Sequence, residues 1–460
     1  MSKELTTSEK SSLAQIGTIL DSEYSSVDDI FSDLEKTEKG KVKQTIANAV
    51  VVLDRDPMLK GVLRKNELTG KTDIVKPLLW KRSGSFSITD IDLYQIQRYI
   101  GEKYQLNNDK VINKAVSIVA SENGYHPIKT YLEGLKWDGK ARICHVLAKY
   151  LGADEDDYTY EVMSLLLRAC IARIYNPGCK FEIMVCLIGG QGAGKSTFFR
   201  FLAARDEWFS DDLKRIDDEL VYRKMMGHWI IEMSEMLATV NAKSIEEIKS
   251  FISRQKETYK VPYETYPEDR PRQCVFVGTS NNIDFLPLDR TGNRRFAPVM
   301  VHPERVEKHI LQDEDEARAY LDQVWAEAMT RYRTDAPETL KLKLSDETEK
   351  YLREMQGQFM PEDTMVGIIQ EWLDQCDEDY VCCAMLYKEA LGKQFDLPKQ
   401  WESREIANIM NYSVKGWQPV KSHRFRSYGT QRAWRRETDD DGFRPIPEGM
   451  ENPFEQTTLF

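Results

Sequence analysis

Residues 181–200 read FEIMVCLIGGQGAGKSTFFR, an apolar run that passes through Gly189, Gly190, Gly192 and Gly194 into Lys195, Ser196 and Thr197. Glycines allow backbone N–H groups to close around an anion, and the start of a following helix adds positive partial charge. A lysine at this spacing can reach the outer phosphates of a nucleotide, and the adjacent serine hydroxyl can ligate Mg²⁺. The pattern is that of a P-loop, and it predicts bound ATP with Mg²⁺ at Ser196. A P-loop serves kinases, GTPases and motors alike, so downstream residues must decide the class. Residues 228–235, HWIIEMSE, end an apolar run in an acid, as a strand delivering a carboxylate beside Mg²⁺ should. Glu232 is the candidate metal-side or water-activating acid, with Glu235 as its candidate partner; an ordinary strand ending at a solvated glutamate reads the same way. The next strand-like run, 274–278, ends in Thr-Ser-Asn-Asn. Asn281 there can orient a water against a terminal phosphate, or it caps a turn. Residues 289–296, DRTGNRRF, then place Arg294 and Arg295 beyond a Thr-Gly-Asn turn. A guanidinium that meets the charge developing on a transferred phosphate is worth ~10³ or more in rate, and in ring ATPases a neighbouring subunit commonly supplies it. Adjacent arginines on a loop are also commonly just solvated.

The elements that must hold these residues follow from the periodicity around them. Over residues 180–301 short β-type runs alternate with helical stretches, the pattern of a parallel α/β domain. The chain's 460 residues exceed what one compact core holds. We expect a polar N-terminal tail with a short helix over 1–45, a mixed α/β domain over 46–160, and the P-loop domain over 161–345. A winged-helix-like domain over 346–438 and a disordered acidic tail over 439–460 complete the division. Within the mixed domain, residues 49–53 (AVVVL) read as a strand. Hydrophobic residues at 41% and charged residues at 30% fit a globular chain. No apolar run approaches the ~20 residues of a membrane span, and residues 1–12 lack a signal-peptide core, so a cytoplasmic protein is expected. Eight scattered cysteines, with no C-x-x-C pair, argue against a zinc site or a disulfide framework.

Several ordered segments carry a family resemblance: KTYLEGLKWDGKARI (129–143), YNPGCK (175–180), GGQGAGKST (189–197), HWIIEMSE (228–235), PRQCVFVGTSN (271–281) and TGNRRF (291–296). Over residues 125–300 the chain resembles the virulence-associated E family, P-loop ATPases of phages and mobile elements related to superfamily 3 replicative helicases. The resemblance implies an AAA+-type core working as a ring, usually a hexamer, as a DNA helicase in replication of a mobile element. It assigns Lys195 and Ser196 to the P-loop, Glu232 to the Walker B acid, Asn281 to sensor 1, and Arg294 and Arg295 to the arginine-finger region. No Asp-Glu pair follows the second strand, so the division of roles between Glu232 and Glu235 stays open. Some relatives carry a primase domain ahead of the ATPase; residues 1–125 show no closely spaced acidic triad, and no primase activity is expected.

Whole-chain net charge is −11, which disfavours nucleic-acid binding by the general surface, yet the basic residues cluster. Related rings grip the strand with a hairpin just before the sensor strand. The corresponding segment, 254–272, offers Lys256, Lys260, Arg270 and Arg272 among tyrosines, with Glu257, Glu264, Glu268 and Asp269 interleaved. A structural hairpin or a subunit contact accounts for it equally well. The C-terminal block is cleaner: Lys415, Lys421, Arg424, Arg426, Arg432, Arg435 and Arg436 occur with no acid among them, interleaved with Trp417, Phe425, Tyr428 and Trp434. A helix beginning at Ser403 followed by this basic β run predicts a winged helix on DNA, with the acidic tail or a protein partner as the alternative occupant.

Overall fold

The computed structural model describes residues 27–82, 84–213, 216, 221–234, 242–259, 268–286, 293–306, 308–334, 342–393 and 396–437. Glu235, Lys260 and the expected acidic tail at 439–460 lie outside them. The chain divides into two compact units, Met1–Ile283 with Arg294–Met355, and Asp284–Asn293 with Gln356–Phe460.

The first unit opens with helices α1 (Val27–Asp33) and α2 (Ile46–Arg55), the hairpin β1 (Leu63–Lys65) and β2 (Thr72–Ile74), then α3 (Asp90–Tyr104) and α4 (Asp109–Glu122). Two expectations are corrected here. Residues 49–53 form part of helix α2 instead of a strand. The Thr45 side chain caps it by accepting from Asn48 N at 3.3 Å, and Ala49, Val52 and Leu53 fall on one buried face at helical spacing. That face outweighs the β preference of Val50–Val52. Nor is 27–45 a tail, because Ile30, Leu34 and Val42 belong to the same core.

Helices α5 (Pro127–Gly134) and α6 (Val146–Leu151) pack into the next core, so the boundary expected at 160 falls nearer 125. That core surrounds a five-stranded, wholly parallel sheet in the order β4 (Phe209–Ser210), β5 (Ile230–Ser234), β8 (Val275–Ser280), β3 (Met184–Ile188), β9 (Phe296–Met300). Every residue of β3 and β8 is buried, as strands covered by helices on both faces require. The covering helices include α7 (Asp157–Tyr175), α8 (Lys195–Leu202), which directly follows the glycine-rich turn, α9 (Val221–Met225), α10 (Ala242–Ser253) and α11 (Glu314–Thr334). An antiparallel hairpin, β6 (Lys256–Tyr259) and β7 (Glu268–Pro271), projects between α10 and β8. Arg173 of α7, only 1% exposed, donates to Phe181 O at 2.8 Å and Cys274 O at 2.6 Å. It thereby fixes the approaches to β3 and β8, the two strands whose ends carry the candidate chemistry. The segment 129–143 is a belt around α11: Arg142 N and Ile143 N both donate to the buried Glu327 carboxylate. Leu352 of α12 (Asp346–Gln356) joins this core too, so the boundary expected at 346 falls near 356.

The second unit runs α13 (Thr364–Gln375), β10 (Tyr380–Cys382), α14 (Cys383–Met385) continued by a π-helical turn, α15 (Gln400–Tyr412), β11 (Trp417–Phe425) and β12 (Gly429–Arg436). Its antiparallel sheet has the order β10-β12-β11. Helix α15 starts three residues before the expected Ser403, because Glu402 accepts from Lys399 N at 2.8 Å and caps it there.

Candidate functional site

Strand β3 and helix α8 hold the glycine-rich turn between them, and β5 and β8 end beside it. Gly192 and Gly194 have φ of 81° and 79°, left-handed backbone that glycine adopts without strain. Gly189 is glycine for a different reason: a Cβ there would lie 2.5 Å from Val301 Cγ2 and 2.7 Å from Val301 O. The turn frames a cavity of about 350 Å³ lined by Gln191–Thr197, Ser234, Thr279, Ser280 and Asn281. That is the scale of a small-molecule site.

The side chains inside are cross-linked. Lys195, 6% exposed, donates through Nζ to Gly189 O and Gly190 O at 2.8 Å each, and to Asn281 Oδ1 at 2.9 Å. Ser196 Oγ donates to Glu232 Oε1 at 2.7 Å, and Thr279 Oγ1 donates to the same oxygen. Glu232 Oε2 is buried with no hydrogen-bond partner among the described residues. Burial pushes the Glu232 carboxyl above its usual range, opposed by the hydroxyls of Thr279 and Ser196. An unsatisfied buried carboxylate oxygen beside a serine hydroxyl is a donor set that fits Mg²⁺, a cation that takes few protein ligands and completes its shell with water and phosphate oxygens. Among the described residues no group of three or more His, Cys, Asp or Glu converges as a metal cage.

The structure thus brings Lys195, Ser196, Glu232 and Asn281 together. Asn282 is instead tied to its own turn through Ser280 Oγ. Thr279 is a member of the site that the sequence reading missed. Its place at the polar end of the apolar run 274–278, two residues before Asn281, could have found it.

Arg294 and Arg295 stand elsewhere. They immediately precede β9, which runs parallel to β3 with Phe296 opposite Met184 and Met300 opposite Ile188. The glycine turn follows the last residue of β3, and the arginines lie at the other end of the sheet. Five residues at ~3.3 Å each put the two ends roughly 16 Å apart. Both arginines face Glu182, Arg294 at 3.4 Å and Arg295 at 3.7 Å, and Arg295 Nε also donates to Ser253 Oγ at 2.9 Å. Side-chain exposure separates them, at 57% for Arg294 and 22% for Arg295.

The hairpin residues need correction. Arg272 was expected on DNA, but it is 3% exposed, ion-paired with Glu257, and donates to the carbonyls of Phe251 and Ile252. It is a pin at the hairpin base. Arg270 is half-buried, with Nη1 3.1 Å from the position of a Cβ on Gly70, so it packs on the β1–β2 turn. Lys256 is exposed and paired with Asp269. Replacing Arg272 with Met should remove the buried partner of Glu257, leaving it the more exposed Arg254 at 3.7 Å, and cost about 3 kcal/mol, read as a lower urea midpoint. An unchanged midpoint would contradict the pinning role.

In the second unit Lys415, Lys421, Arg424, Arg426 and Arg432 are exposed, while Arg435 is half-buried. Arg436 is corrected as well: it stacks over Trp417 at 4.8 Å and donates to Leu373 O and Cys376 O, capping the end of α13. Helix α15 adds residues not anticipated. Trp401, Arg404 and Asn408 are exposed at helical spacing opposite its buried Ile406, Ile409 and Met410.

The class that the fold defines is a parallel α/β domain in which β3, beside the central strand β8, leads through a glycine-rich turn into helix α8. The profile of the virulence-associated protein E-like domain matches residues 132–361, half of the chain. The chain belongs to the virulence-associated protein E-like family. Three apo structures of the NrS-1 C-terminal region are similar to it with TM-scores of 0.42, 0.43 and 0.41 at 15% identity, covering 82% of this chain and 96% of each of those. So distant a likeness fixes no residue's role. No curated protein matches. Among the described residues no helix is long and apolar enough to cross a membrane.

Proposed function

We propose that this protein is an ATP-hydrolysing DNA motor, a helicase or replication initiator of a phage or mobile element, acting in the cytoplasm as a ring of identical subunits, most simply a hexamer. The observation that carries the reading is a convergence at one cavity: Lys195 and Ser196 at the start of α8, Thr279 of β8 and Asn281 just past that strand, with Glu232 of β5 bonded to Ser196 and Thr279. The strand order, with β8 between the P-loop strand and the acid strand, is the one an AAA+-type core requires. Ser196 and Glu232 would hold Mg²⁺, which supplies charge neutralisation on the phosphates. Lys195 holds the outer phosphates, Asn281 orients the attacking water, and Glu232 polarises it from the metal side. Arg294 completes the site of an adjacent copy. The second unit has the helix–strand–helix–helix–strand–strand order of a winged helix, with exposed basic residues on its hairpin for phosphate contact. No primase activity is assigned to the chain.

Mass measurement of the full chain with an ATP analogue, with and without forked DNA, tests assembly, nucleotide dependence and substrate together. A protein that stays monomeric and hydrolyses nothing with magnesium and DNA present refutes the motor. Removing the charges of Lys421, Arg424, Arg426 and Arg432 should weaken DNA binding regardless of sequence and lower the salt slope by about 0.9 per lost duplex contact. An unchanged slope would remove this hairpin from the DNA interface.

A second reading is a DNA-binding regulator or interference factor that uses ATP only to assemble. The burial of Arg272 and the pairing of the exposed Lys256 with Asp269 favour it, since they leave fewer cations on the hairpin for a translocating strand. Strand separation on a forked duplex distinguishes the two.

A further inference from the structure

The chain between β9 and α11 returns over the glycine-rich turn. Ile310, 1% exposed, anchors a single 3₁₀ turn (Ile310–Gln312) in the core, and its Cγ2 lies 3.2 Å from the position of a Cβ on Gly194. His309 precedes that turn and touches two partners. Its Nδ1 accepts from Leu311 N at 3.2 Å, and its Nε2 lies 3.3 Å from Gly192 O. An acceptor nitrogen carries no proton, so the neutral ring holds its proton on Nε2 and donates it to the Gly192 carbonyl.

The consequence lies in the peptide that follows. No peptide bond among the described residues is cis, and in a trans peptide C=O and N–H point in opposite directions. A Gly192 carbonyl held towards His309 directs Ala193 N–H the other way. His309 is not among the side chains that line the cavity, whereas Gly192, Ala193 and Gly194 are. Gly192 and Gly194, both at positive φ, have no side chain to hold this plane by themselves. We propose that His309 is a positioning residue for nucleotide binding, which locks the Gly192–Ala193 peptide so that its N–H faces the phosphates. This role rests on the nucleotide reading given above, and adds to it a residue 117 positions beyond the loop carbonyl it holds.

Two substitutions separate the two hydrogen bonds. His309→Asn keeps an acceptor near Nδ1 for the turn but is too short to reach Gly192. His309→Gln places an amide N–H close to the position of Nε2. In the full chain, affinity for a fluorescent MgATP analogue should fall roughly tenfold in His309→Asn and stay within about threefold of wild type in His309→Gln. KM for ATP should follow the affinity, while kcat changes less than about twofold because His309 touches no reacting group. Thermal midpoints of the two variants should agree. Wild-type affinity in His309→Asn, or equal weakening in both variants, overturns the proposal. A wild-type protein that binds no nucleotide overturns the reading at Lys195 itself, and this role falls with it.

Discussion

Lys195→Ala is expected to abolish ATP turnover, lowering kcat by at least 10²–10³-fold while the protein stays folded. The ammonium is buried at the mouth of the turn and bonded to Gly189 O, Gly190 O and Asn281 Oδ1, which holds it at the cavity where the proposed function puts the phosphates. Its removal leaves two loop carbonyls and one amide oxygen without this donor, a cost of about 1–3 kcal/mol each where water cannot replace it. The cavity is open enough for water to enter, so most of the loss should appear in catalysis and little in the thermal midpoint. Phosphate release under saturating MgATP measures the first and calorimetry the second. A variant retaining more than a tenth of wild-type turnover would show that Lys195 has no role in the chemistry.

The second large effect is expected at Arg294. Its substitution by Ala should reduce kcat by roughly 10³-fold and leave ATP affinity nearly unchanged, because the group acts on charge that develops during transfer. In the proposed ring this is an intersubunit effect, since the parallel pairing of β3 with β9 keeps Arg294 from its own cradle. Arg294 sits at the end of the sheet away from its own cradle, roughly 16 Å along the strand by the ~3.3 Å rise per residue. Subunits bearing Lys195→Ala keep the arginine, and subunits bearing Arg294→Ala keep the cradle. Mixing the two inactive proteins should therefore restore part of the activity. Mixtures that remain as inactive as their components would refute a shared site. Arg295→Ala should behave differently, losing about 1 kcal/mol of stability with its bond to Ser253 and little turnover.

The cradle was legible in the sequence because its signals are local. Four glycines, a lysine and a serine within eight positions need only a strand before them and a helix after them, and both are present. Glu232 and Asn281 were legible as polar residues at the ends of apolar runs. What escaped depends on partners distant in sequence. Arg272 and Arg436 look like surface cations in any window, and only the positions of Glu257 and of the α13 carbonyls reveal them as internal ties. The valine run in α2 follows strand propensity locally, but a helical stripe facing the N-terminal core overrides it. Helices α5 and α6 carry no mark of which core they join, so the first boundary was misplaced. His309 is one histidine in a polar stretch, and nothing nearby in the sequence connects it to Gly192.

Trp229 stacks on Trp325 with ring centroids 4.3 Å apart and planes inclined by 25°, and their indole N–H groups donate to Cys170 O and Leu202 O. One indole immediately precedes the strand that carries Glu232, and the other rides on the long helix following the His309 turn. Two chromophores this close couple electronically, so their near-ultraviolet dichroism depends on separation and tilt. The protein therefore contains a built-in optical gauge of any shift between that strand and that helix, usable without an attached dye.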